Sequence, residues 1–283
     1  WNVPQPANTL QAEHIAAGND RSQPFVYVQG TTSQADNDQD VFVIQLGKEA
    51  GNRLWNTEIT SNDTPFPGQE RTGGIGVGPR GILRVAVSSD GFDLSSGGVF
   101  VQDAPSLPSR HGYLLFLDPN DGKLLNDRLL GVSTEQRGVM ETYNLDIDYA
   151  GNTYVAIGFT GSFSFRGVLQ QGREDAAVVV VDSLGVPMRF LDSDGDANAA
   201  GFDVAAPGRD LQILVGGVVG TTGELFGLRP LAPSVDRKAY LAVLDPPEDQ
   251  QSYLLSLTDP DQELEVLVQS INQLEGEVYR VID

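Results

Sequence analysis

The chain has no cysteine, two histidines and two methionines in 283 residues. Without cysteine there are no disulfide staples, thiolate metal centres or cysteine nucleophiles, although the compartment stays open. With only His14 and His111 present, a serine-type triad or a histidine-rich metal centre would have to use one of the two. His111, in "SRHGY", reads as a surface residue of a loop before a strand. Basic residues are scarce: 18 lysines and arginines stand against 39 aspartates and glutamates, a formal charge of −21. Such a surface repels phosphate backbones and anionic bilayers and attracts cations, so no nucleic-acid partner is expected. Long apolar runs are also missing. None reaches the ~20 residues that cross a bilayer as a helix, and no membrane insertion is expected. The glycine-rich "GGIGVG" at 73–78 lacks the following helix that a phosphate-binding loop needs. The opening "WNVPQP", without methionine or signal peptide, reads as a processed or excised segment.

Turn formers, by contrast, are plentiful. The 32 glycines and 16 prolines favour many short strands joined by turns. One strand-like segment recurs: "DVFVIQLG" (40–47), "HGYLLFLD" (111–118), "DAAVVVVD" (175–182) and "KAYLAVLD" (238–245). Each copy is followed by a turn and a further strand: "GNRLWNTEI", "GKLLNDRLL", "GVPMRFL" and "QQSYLLSL". Each is preceded by a hairpin-like pair, the second being "GIGVGPRGILRVAV" and the third "NLDIDYAGNTYVAIG".

Four short strands per unit with no helical period between them predict an all-β chain. Tandem four-stranded units predict a β-propeller in one domain, 1–283, or a segment of one. The repeats fall at approximately 12–59, 73–130, 143–191 and 202–257, with half of a fifth at 264–283. The first strand of each unit is rich in small residues ("IAAG", "IGVG", "DVAA"), as suits a crowded strand beside a central channel. The third is almost continuously apolar, as suits a strand buried on both faces. Four and a half units leave an open ring with unpaired edges. Residues 1–11 as a closing strand, further blades outside this segment, or another chain would each complete it.

"GNTYVAIGFTGS", then "EDAAVVVVDSLG" and "GFDVAAPGRDLQILVGG", resembles the tandem repeats of secreted bacterial seven-bladed propellers. "VSSDGFDLSSGGVF" (87–100) fits the turn after the first element of those repeats. A weaker likeness is to quinoprotein-type blades, through "LGKEAGNRLW" (46–55) and "LDPNDGKLLN" (117–126). The tryptophan of that pattern occurs once, as Trp55, with Asn126 in its place in the next unit, so a bound quinone is not implied. Trp55 reads as packing between blades. What these resemblances imply is a fold; the setting expected for the chain is extracellular or at the cell surface.

The densest polar stretch is "LDSDGDANAAGFD" (191–203). Asp192, Asp194, Asp196 and Asn198 alternate as oxygen ligands do in a calcium loop, with Asp203 at the place of its last carboxylate. Glycine stands at the fourth loop position rather than the sixth, and no helix flanks the stretch. The same residues also read as a polar connector between two units. Asp36, Asp38 and Asp40 in "QADNDQD" read as a solvated turn, and "DPNDGK" (118–123) as a tight turn with Gly122 at positive φ. Asp146, Asp148 and Asp203 lie on or beside predicted first strands, where a glycan-acting hydrolase or lyase would place cavity carboxylates. "NDT" makes Asn62 an N-glycosylation acceptor. The expected function is an extracellular structural or binding module in a larger protein or assembly, calcium-stabilised, with a protein or glycan partner met through loops.

Overall fold

The computed structural model describes residues 9–18, 25–33, 39–47, 51–61, 69–79, 81–91, 94–101, 109–134, 138–166, 168–192, 199–205, 213–219, 238–244 and 252–256. These build an all-β fold of antiparallel sheets. The first sheet runs β1 (Thr9–Ala17), β2 (Phe25–Ser33), β3 (Gln39–Gly47) and β4 (Arg53–Thr60), each strand pairing with the next. The second begins with β5 (Glu70–Val77) and β6 (Leu83–Ser89). The chain then makes a small hairpin, β7 (Ser95–Ser96) and β8 (Val99–Phe100), which pairs with β4 of the first sheet. It returns as β9 (His111–Leu117) and β10 (Leu124–Leu129) to complete the order β10-β9-β6-β5.

After the short β11 (Val132–Ser133), the third sheet runs β12 (Val139–Ile147), β13 (Thr153–Phe165), β14 (Val168–Val181) and β15 (Pro187–Asp192). β13 and β14 continue past the sheet as a long hairpin, and β11 pairs with that extension at Phe163 and Ser164. The fourth sheet is β16 (Ala199–Ala205), β17 (Ile213–Val219), β18 (Lys238–Leu244) and β19 (Ser252–Ser256).

The middle sheets are buried on both faces, and their sequences show why. Along β6, Leu83, Val85 and Val87 face a core shared with Tyr27, Val41, Val43 and Ile59 of the first sheet, while Ala86 faces Val155 and Ile157 of the third. Along β14, Ala177, Val179 and Val181 join that second core, and Ala176, Val178 and Val180 join a third with Val204, Val215 and Tyr240 of the fourth sheet. Successive side chains of a strand point to opposite faces, so a run of β-branched residues serves two cores at once. Each fully buried Val, Leu or Ile contributes roughly 1.5–3 kcal/mol.

The turns follow from short polar side chains. Asp118 accepts from the Asn120 amide at 2.8 Å, Asp148 from the Asn152 amide at 2.8 Å, and Asp182 from the Val186 amide at 2.7 Å. Gly122, Gly151 and Gly185 complete them at φ of 73°, 87° and 84°. The first sheet docks on one of these turns: Trp55 Nε1 donates to Pro119 O at 3.0 Å and Thr57 Oγ1 to Gly122 O at 2.8 Å. In the next sheet Arg128 donates to Gly185 O in the same manner.

Two expectations are corrected. His111 is not a surface residue: it opens β9 at 1% exposure, accepts from the Ser133 amide at Nε2 and meets Phe163 edge-on. The β11 and β13 extension covers it, which its local sequence does not announce. Asp40 is likewise buried at the start of β3, not solvated, while Asp36 and Asp38 lie outside the described residues.

Candidate functional site

The first strands of the four sheets are neighbours: β5 packs against β1 and β12, and β12 against β16. All four carry a β-bulge at one register level. The pairing slips between Ala12 and His14 in β1, Thr72 and Ile75 in β5, Thr142 and Asn144 in β12, and Gly201 and Asp203 in β16. A bulge leaves one residue unpaired and re-aims its neighbours. The residues so placed are Glu13–His14, Gly73–Gly74, Tyr143–Asn144 and Phe202–Asp203.

Hydrogen bonds tie the level together. Glu13 accepts from Thr31 Oγ1 at 2.8 Å and from the Thr72 hydroxyl, linking the first two sheets. The Gly74 amide donates to Gln29 Oε1 at 3.1 Å, and Gln29 Nε2 to Ala86 O at 2.8 Å. Asn144 donates through Nδ2 to Asp203 Oδ1, linking β12 to β16. The glycines of β5 permit the close approach. A Cβ at Gly73 would collide with the Thr142 side chain, and one at Gly74, where φ is 107°, would stand 2.5 Å from Leu145 N. Burial holds the His14 imidazole below its ordinary pKa against the opposing pull of Glu13 and Asp203, which favours the neutral ring near pH 7.

One residue before the bulge lies an ion-pair group. Arg110 holds Glu141 at 2.5 Å and Asp90 at 3.1 Å, and Arg71 holds Glu141 at 2.7 Å. Tyr143 donates its hydroxyl to Glu141 Oε2 at 3.2 Å. The Arg110 and Glu141 side chains are 13% and 21% exposed, so this pair is screened far less than a surface one.

The carboxylates singled out in the sequence separate into different roles. Asp203 stands on β16 beside Asn144, and its oxygen also accepts from the Val204 amide at 2.9 Å. Asp146 lies two residues beyond Asn144 on β12 and accepts from the Ile147 amide at 2.8 Å. Asp148 belongs to a turn, bonded to Asn152 and, at 3.0 Å, to the Tyr154 hydroxyl. Burial, and after it Asp148, pushes that phenol up to about 12. The backbone of Asp192 ends β15 opposite Ala177. Its side chain, with Asp194, Asp196, Asn198 and Asn62, lies outside the described residues. Among the described residues, no three or more His, Asp or Glu side chains are grouped to hold a metal ion.

Sequence reasoning did not mark Glu13, His14, Tyr143 or Asn144 as a group. The available signal was a pair of adjacent polar or aromatic residues interrupting the alternation of a first strand, once in "AEHIAA" and again in "TYNLDI".

No protein-family model matches this sequence, and comparison with curated proteins finds no match. Among solved structures the chain is similar to "Kuenenia stuttgartiensis Hydrazine Synthase", with a TM-score of 0.38 and 11% identity over 89% of this chain and 67% of that one. A likeness at that level decides nothing about activity.

Proposed function

We propose that this chain is a β-propeller binding module, extracellular or at the cell surface, within a larger protein or assembly. In this reading the four sheets are blades, 264–283 supplies half of a fifth, and β1, β5, β12 and β16 line the axis. The observation that supports it best is the contact of those first strands with one another while three apolar cores fill the wedges between successive sheets. A rigid body of this kind presents loops and an acidic surface of formal charge −21 to a protein or glycan partner. Calcium held by Asp192, Asp194, Asp196 and Asn198 stabilises the connector between the third and fourth blades, with Asp203 shared between that loop and the axis. Asn62 carries a glycan where the chain is secreted from a eukaryotic cell.

A glycan-acting hydrolase or lyase is the competing reading. The engagement of Asp148 in its own turn leaves Asp146 and Asp203 as its candidate carboxylates on the first strands. Probing the immobilised chain with arrayed glycans and extracellular proteins, in calcium and then in chelator, separates the two. Saturable binding without turnover supports the module; release of new sugar ends, lost in Asp203→Asn, contradicts it.

A further inference from the structure

We propose that the bulge level of the first strands is a saccharide-binding floor. This rests on the propeller reading, which brings the four strands around one axis. A β-bulge in a single strand would be a local accident. Four at one level, on four strands that pack side by side, form a platform whose residues have been turned out of the ladder together.

The chemistry of that platform is mixed. Asn144 supplies amide donors and an acceptor, Asp203 supplies acceptors, and His14, favoured as neutral, offers one donor and one acceptor. Sugar hydroxyls both donate and accept, and match such a set better than an anion or a phosphate would. An aromatic residue, Tyr143, precedes the polar Asn144 on β12. Aromatic rings pack against the C–H faces of pyranoses, and a tyrosine does so at low entropic cost when it is already fixed. Tyr143 is fixed: its hydroxyl is held by Glu141, and its Cε2 lies 3.0 Å from where a Cβ on Gly158 would stand. Gly73 and Gly74 let β12 close onto β5, which sets Tyr143 and Asn144 at the level of Glu13 and His14. Among the described residues no three or more His, Asp or Glu side chains are grouped to hold a metal ion.

The experiment is a binding screen of the full chain against neutral oligosaccharides ending in glucose, galactose, mannose or N-acetylglucosamine, followed by titration of the best binder. The inference expects saturable binding that weakens at least tenfold in Asn144→Ala and in Tyr143→Leu, with Asp203→Asn also weakened. Tyr149→Ala, an exposed ring in the β12–β13 turn, should leave the affinity unchanged. Thermal melts of each variant, matched to the parent, separate lost contacts from lost folding, and Asp203→Asn keeps the test open should Tyr143→Leu melt early. Failure of every oligosaccharide to bind at millimolar concentration would overturn the inference. So would binding indifferent to Asn144, Tyr143 and Asp203, which would move the ligand to the loops and leave the module reading standing.

Discussion

His111 and His14 make stability depend on pH, and the sign follows from burial. Burial lowers the pKa of both imidazoles from 6.5, against the Ser109 backbone for His111 and against Glu13 and Asp203 for His14. The folded state therefore keeps them neutral where the unfolded chain binds protons. Stability is full above pH 6.5 and declines as the pH falls below that value toward the folded pKa. Chemical denaturation at pH 7 and pH 5 should show this loss, and His111→Gln, whose amide can still accept from Ser133, should reduce it. Gly74→Ala combines positive φ with a backbone clash and should cost roughly 2–4 kcal/mol, measured the same way. The ion pairs should differ by burial. Arg110→Met takes from Glu141 its less exposed cation, leaving Arg71 and the Tyr143 hydroxyl, and should cost about 1–3 kcal/mol, whereas Arg71→Met, at 44% exposure, should cost less than about 1 kcal/mol.

Among the elements, the docking of one sheet on the next turn is the contact most open to test. Thr57→Val keeps shape but leaves Gly122 O without its side-chain donor, and should lower stability by roughly 1–2 kcal/mol in a denaturant melt. This part of the fold was largely legible. "YLLFL" and "AAVVVV" announce doubly buried strands because β-branched and apolar residues without alternation suit only such places, and β9 and β14 are those strands. "DPNDGK" announces its turn because aspartate and glycine have local reasons to be there. Other elements were not legible, since their causes lie far away in sequence. The two-residue strands β7 and β8 exist because β4 offers them an edge, and the β13–β14 extension because Phe163 and Phe165 find a core built by other sheets. The same holds for the candidate site. Its aspartate Asp203 was visible as an acidic residue in a small-residue strand, but the partnership with Asn144 depends on two strands meeting 59 positions apart.

For the whole molecule, the central claim is that the sheets fan out from their first strands and do not stack as parallel layers. A chain without cysteine invites a direct measurement, because two introduced cysteines can be labelled without background. Spin labels at Gln11 and Asp146 report the distance between the first strands of the first and third sheets; labels at Leu54 and Met188 report that between their fourth strands. Pulsed electron resonance on each pair should give a clearly shorter distance for Gln11–Asp146 than for Leu54–Met188. Equal distances, near the roughly 20 Å expected of two face-to-face sheet spacings, would mean layered sheets with no axis, and would contradict both the propeller and the floor proposed within it.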